Sequence, residues 1–289
     1  MSERVLTVAE LSRATLARQL LLERVRLDPV SAIERLVCLQ AQEAASPYLA
    51  LWARLEGFEA GALNAAFRDR LVVKGTLMRV TLHAVSARDY LRFWPAVGQS
   101  LREWRAPIVR QFGLEPQFEA LAERAAAFAS GPRTGPEMRD YLPALAGGAG
   151  PAGQTDSWWA VRPLLPFVIA PGERPWSFGR RPRFVAAAAW LGAELAPEEE
   201  GLRHLIGRYL TAFGPAGVAD LRQFTRIRAS LLRAALEQMT ADLVTFRDER
   251  GRLLYDIPDG PLPPADMRPR SAFCRCGTAC CSPTRIAVG

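Results

Sequence analysis

The sequence predicts a mainly helical α+β fold with small β elements, on three observations. Two helix-start signatures lie near the N-terminus, a stretch of strict alternation follows the first helices, and a helix–helix–hairpin pattern runs between Gly201 and Asp259. At 289 residues and 49% hydrophobic, the chain can bury two or three small cores. It has no apolar run near the ~20 residues a membrane span needs. The N-terminal segment lacks the basic start, apolar core and small-residue cleavage site of a secretory signal, so a cytoplasmic protein is expected. A monomer is the default expectation.

Taken in order, Thr7 with Glu10 and Ser31 with Glu34 each carry the spacing in which a hydroxyl and a carboxylate cap opposite ends of a first helical turn. Two apolar stretches, SPYLALWARLEG and AGALNAAFRDR, read as further helices. From Leu77 to Val85 the chain alternates, placing Met78, Val80, Leu82 and Ala84 on one face and Arg79, Thr81 and His83 on the other. Residues 1–100 therefore read as a first winged-helix region. Residues 101–200 read as a helical and irregular connection, helical over Arg105–Ser130 and loop-like at 147–154. Within it, Trp158, Trp159 and Trp190 are expected in the core, and Arg180, Arg181 and Arg183 are expected to meet phosphates, a solvated loop being the alternative.

The pattern returns over residues 201–260. LRHLIGRYLTAF ends at Gly214 and Pro215, VADLRQF and ASLLRAALEQM supply two more helices, and LVTFRD and RLLYDI flank the turn Glu249-Arg250-Gly251. This order is a second helix-turn-helix with a β wing, a tandem winged-helix arrangement that commonly places a helix in a DNA groove. The formal charge of +7 invites the same reading. Residues 1–267, however, hold 33 basic and 30 acidic residues, a net of only +3.

The segments RLVCLQAQEAASPYLALWARL, GTLMRVTLHAV followed by DYLRFWP, and YLTAFGPAGVADLRQFT resemble the AlkZ-type winged-helix DNA glycosylases, in the order expected of that family. The resemblance implies tandem winged helices around a DNA-binding channel. It also implies hydrolysis of the N-glycosidic bond of alkylated bases, including bulky N7-alkyl purines and, for some members, cross-linked ones. The family's catalytic motif, glutamine–apolar–glutamine, falls on Gln40, Ala41 and Gln42. Relatives with an aspartate at the second position would favour another activity profile, so Gln42 points to the bulky-lesion type.

The chemistry fits the residue type. Glycosidases commonly flank the bond with two carboxylates, one of which protonates the leaving group. An N7-alkylated purine is already cationic and departs neutral, which leaves a water to position and an oxocarbenium-like sugar to stabilise. Carboxamide oxygens can accept a hydrogen bond from that water, although they are poor bases. Helical geometry poses a difficulty, because at ~100° per residue Gln40 and Gln42 would point to opposite sides. For both to serve one water, the backbone must leave the helix near Ala41; otherwise the pair are surface residues at a helix end.

Arg79, Thr81 and His83 are candidate DNA contacts, His83 being as readily a structural residue. Lys74 is the only lysine, so a Schiff-base lyase would have to use it or the terminal amine. A monofunctional DNA glycosylase, with no metal or other cofactor and with double-stranded DNA carrying alkylated bases as its partner, is the expected enzyme. The alternative is a non-enzymatic winged-helix DNA-binding or regulatory protein.

Residues 261–289 depart from the family pattern. Where a segment similar to RFLPxWDSLLLAHADR is expected, the chain reads SAFCRCGTACCSPTRIAVG, with Cys274, Cys276, Cys280 and Cys281 crowded together. A metal cluster or a disulfide staple could use such cysteines, but their spacing lacks paired zinc knuckles. A shifted reading frame from Ser271, whose codons can yield RLLPVWDSLLLAHADRGR, is the expectation.

Overall fold

The computed structural model describes residues 4–114, 116, 118–142, 157–173 and 176–267. The cysteine-rich tail and the loop at 147–154 lie outside them. No helix among the described residues is long and apolar enough to cross a membrane.

The chain opens with a short strand, β1 (Val5–Leu6), and helix α1 (Val8–Arg18). The latter starts where the Thr7–Glu10 spacing places it: Glu10 N–H donates to Thr7 Oγ1 at 3.2 Å, and Thr7 N–H donates to the Glu10 carboxylate at 2.8 Å. The second signature is overridden. Helix α2 (Pro29–Arg35) begins ahead of Ser31, because Asp28 accepts the N–H groups of Val30 and Ser31 at 2.9 and 3.0 Å and Pro29 presets the first helical φ. Strand β2 (Leu39–Gln40), helices α3 (Ser46–Trp52) and α4 (Ala60–Arg68), and strands β3 (Val72–Thr76) and β4 (Leu82–Ser86) follow.

The strand expected over Leu77–Val85 is broken. Met78–Val80 forms one 3-10 turn, with Arg79 and Val80 both at φ +58°. Leu77 and Met78 are neighbours in sequence, yet both are completely buried, which an extended strand packed on one face does not permit.

Helix α5 (Ala87–Gln111) is capped by Ser86 Oγ, which accepts Asp89 N–H at 3.2 Å, and it accommodates Pro95 and Pro107. Then come α6 (Phe118–Phe128), β5 (Arg133–Thr134), α7 (Gly135–Tyr141), α8 (Ser157–Val161), β6 (Phe167–Ile169), β7 (Arg183–Ala186) and α9 (Ala187–Leu191). The last stretch holds α10 (Glu198–Phe213), α11 (Val218–Thr225), α12 (Ala229–Gln238), β8 (Val244–Asp248) and β9 (Leu253–Asp256). Three glutamates in the first turn of α10 suit the positive end of its dipole.

Among the described residues one arrangement occurs three times: helix, short strand or bridge, helix, helix, hairpin. The first copy is α2–β2–α3–α4–β3–β4, the second α6–β5–α7–α8–β6–β7, and the third α10–Ala216–α11–α12–β8–β9. In each copy the short element pairs with the second hairpin strand: β2 on β4, β5 on β7, and Ala216 on Tyr255 of β9. Residues 101–200 thus contribute three strands as well as helices. The first two hairpins join through β3 and β6 into a six-stranded sheet of order β2-β4-β3-β6-β7-β5. The third hairpin lies in a separate sheet, where β1 pairs with β8 in parallel.

Helix α5 covers one face of the six-stranded sheet. Tyr90 hydroxyl donates to Phe167 O at 3.0 Å, and a Cβ on Gly75 would lie 2.6 Å from the Tyr90 ring, so only glycine fits beneath it. Helix α10 packs along α5 closely enough that Gly201 rests on the Arg92 carbonyl. Asp89, fully buried, receives His204 Nε2 at 2.7 Å and the Arg208 guanidinium at 3.2 Å. Trp158 is buried in this core, edge-on to Phe184 at 5.4 Å, while Trp159 and Trp190 are half-buried beneath Arg105 and Arg70. Arg18 and Asp256, each 1% exposed, are joined by two 2.7 Å bonds that fasten α1 to β9. Removing one partner of such a pair costs about 3–5 kcal/mol, because the other is left buried and charged.

Candidate active site

The glutamine motif sits on the outer strand of the six-stranded sheet. Helix α2 stops at Arg35, and the chain turns through Val37, at φ +71°, before entering β2. The exit from helical geometry therefore precedes Ala41. In extended backbone alternate side chains share a side. Leu39 and Ala41 are buried, whereas Gln40 is half-buried and Gln42, in a bend just past the strand, is exposed.

Strand β4 holds this segment in place. Leu39 pairs with Ala84 and Gln40 with His83, and Ala41 N–H donates to Leu82 O at 2.7 Å. Leu82 N–H in turn donates to Gln42 Oε1 at 3.3 Å, so the Gln42 side chain closes the end of the strand pair. That bond fixes the carboxamide while leaving the oxygen a second lone pair and the NH2 two donors.

Arg79, Thr81 and His83 do not form a shared exposed face. Arg79 Nη1 donates to Phe224 O at 3.0 Å at the end of α11, and its guanidinium lies 5.2 Å from the Phe224 ring centre. Thr81 Oγ1 donates to Met78 O at 3.1 Å within the turn. His83 is 1% exposed, and its Nδ1 lies 3.0 Å from Thr81 O. Burial, helped by the Arg79 charge, pushes the His83 pKa down to about 3, so the ring is neutral at physiological pH and donates to that carbonyl. A neutral imidazole thus lies directly across the sheet from Gln40.

Lys74 is on the other face. It pairs with Ala84, in line with Leu39, whereas Gly75 pairs with His83, in line with Gln40. Its ammonium, on a residue only 5% exposed, lies 4.7 Å from the Phe178 ring centre. Burial lowers the Lys74 pKa to about 8, with the Glu43 charge opposing the shift.

Arg180, Arg181 and Arg183 are exposed and line a cleft of about 400 Å³ in the connection between β6 and β7. The same connection carries residues that sequence reading passed over. Ser177 Oγ donates to Asn64 Oδ1 at 2.8 Å and meets the buried Tyr48 hydroxyl at 3.0 Å, which ties this loop to α3 and α4. Only the mixture of polar and aromatic residues in PWSFGRR could have marked it. A wider cleft of about 690 Å³ lies between α5 and α10, where Arg88, Arg92 and Arg208 are paired with Glu34, Glu200 and Asp89. Among the described residues no group of three or more His, Cys, Asp or Glu is placed to hold a metal ion.

Paired carboxamides on a sheet edge, carried by repeated helix–hairpin units, are in keeping with the class of the DNA-repair glycosylases. The chain belongs to the AlkZ-like DNA glycosylase family, whose model, described as DNA glycosylase AlkZ-like, matches residues 33–273. The solved structure of the Streptomyces sahachiroi DNA glycosylase AlkZ is similar in fold, with a TM-score of 0.73 and 19% sequence identity over 88% of this chain and 70% of that one. No curated protein sequence matches it.

Proposed function

We propose that this glycosylase is a monofunctional hydrolase that releases N7-alkylated purines, bulky or cross-linked ones included, from double-stranded DNA. The observation that carries the proposal is the Gln40-Ala41-Gln42 segment at the end of β2, with its apolar middle residue buried and both glutamines more exposed than it. Its cationic leaving group needs no general acid. Gln42 Oε1, already oriented by Leu82 N–H, accepts a hydrogen bond from one O–H of a water, and the Gln40 carboxamide oxygen accepts one from the other. The oriented oxygen lone pair attacks the anomeric carbon as the C–N bond breaks, the bond electrons leave with the neutral purine, and the water's spare proton passes to solvent.

Two further observations support this reading. Lys74 lies on the far face of the sheet from Gln40, which argues against a Schiff base and for hydrolysis that leaves an abasic site. His83, neutral and buried, is the cross-strand partner of Gln40 on β4 and adds no charge beside it. We further assign phosphate contact to Arg180, Arg181 and Arg183, and take the repeated units as winged helices of a cytoplasmic monomer.

The test is single-turnover release of free base from an N7-alkylguanine duplex. Gln40→Ala and Gln42→Ala each lower the rate by about 10²–10³, the scale for losing one positioned polar group at a transition state, with duplex affinity unchanged. Wild-type rates in the double variant would sink the proposal. Binding with no release by the wild type would favour a non-enzymatic regulator.

A further inference from the structure

The connection between β6 and β7, residues 170–182, reads APGERPWSFGRRP and holds three arginines against one glutamate. Trp176 and Ser177 both adopt left-handed backbone, at φ +63° and +57°, although neither is glycine. Such conformations cost about 1 kcal/mol or more per residue and persist only where surrounding contacts hold them. The contacts here act on Ser177, buried and bonded to Tyr48 and Asn64, and on Phe178, edge-on to Phe67 at 4.9 Å. Their effect is to turn the preceding indole outward. Trp176 is 40% exposed, and among the described residues its ring meets the Tyr48 ring edge-on at 4.9 Å. The same connection lines a cleft with Gly172, Ser177, Arg180, Arg181 and Arg183.

An exposed aromatic ring on the same connection as clustered guanidinium groups is the arrangement that binds unpaired nucleotides, where the ring stacks on a base and the cations take its phosphates. We propose that Trp176 is a stacking platform for an unpaired base of DNA, with Arg180, Arg181 and Arg183 gripping the adjoining phosphates. The proposal rests on the glycosylase reading, because extruding a damaged base leaves unpaired bases in the duplex. Helix α3, which carries Tyr48, begins at Ser46, a few residues past Gln42, so the platform's aromatic neighbour and the glutamine pair lie close in sequence.

The experiment measures the affinity of the full chain for two undamaged duplexes, one fully paired and one with a single unpaired base. Trp176→Ala is expected to bind the unpaired-base duplex roughly 10- to 100-fold more weakly, with fully paired affinity within about twofold of wild type, and Trp176→Phe to keep most of the preference. Arg180→Gln with Arg181→Gln is expected to weaken both duplexes and to lower the salt slope by about 1–2. Thermal melting accompanies each variant. A properly folded Trp176→Ala that keeps the wild-type preference overturns the proposal, as does one whose only change is a lower melting temperature, since Trp176 would then be a packing residue against Tyr48. Undamaged duplexes separate this test from the hydrolase reading. Loss of the preference in a protein that releases no base would uphold the platform and defeat the hydrolysis.

Discussion

The β3–β4 and β6–β7 connections occupy equivalent places in the first two structural copies, and each contains two successive non-glycine residues in left-handed backbone. Their surroundings differ. At β3–β4, Leu77 and Met78 are completely buried and Arg79 is committed to the end of α11. At β6–β7 Ser177 and Phe178 are drawn inward, while Trp176, Arg180, Arg181 and Arg183 remain at the surface. The same local distortion thus serves packing in one copy and presentation in the other. The difference teaches that backbone strain alone does not mark a binding element; what the strained residue exposes decides it.

If the first connection is structural, disturbing its surroundings must be felt as lost stability. The largest effect expected there is from acid. The unfolded chain protonates His83 near its ordinary pKa of 6.5, whereas the folded ring does so only near 3. Between those values the unfolded state binds more protons, so stability falls as pH drops through the window. At 1.36 kcal/mol per pH unit the loss amounts to roughly 4–5 kcal/mol. Urea titrations between pH 7 and 3 read this slope, and His83→Leu removes it; an unchanged slope would show that the ring is not buried neutral. Next comes Met78→Ala, with an expected loss of about 2–5 kcal/mol for emptying a fully buried site. Chemical denaturation measures it, and a loss under about 1 kcal/mol would mean that the turn is not docked. The smallest effect belongs to the second connection, where Trp176→Ala is expected to shift stability by less than about 1 kcal/mol. A loss matching that of Met78→Ala would erase the distinction between the two connections.

The third copy was legible in the sequence because its helices are amphipathic, its breaks are marked by Gly214-Pro215 and its hairpin by Gly251, at φ +74°. The second copy was hidden. Strands β5 and β6, two and three residues long, are too short to register an alternation, and the hairpin they help build is separated by a proline-rich connection. In the first copy the alternation from Leu77 onward is real as a pattern but not as a strand. Strand β4 is buried on both sides, with His83 at 1% and Ala84 and Val85 at 0%, so a polar residue there signals a satisfied core position and not a wet face. The motif Gln40-Ala41-Gln42 was visible, and so was the need to leave the helix. Its strand geometry depends on the left-handed Val37 and on pairing with β4, more than forty residues away, which no local periodicity records.

The clasp between Arg18 and Asp256 has a consequence for how the protein is made. Its two halves are separated by 238 positions in the chain. At ~5–20 residues per second, roughly 12–48 s of translation pass between them. During that interval α1 and β1 have neither β8 nor β9 to join and no carboxylate for Arg18. Elements made well before the third copy thus settle only with it, and that copy closes around a segment synthesised many residues earlier.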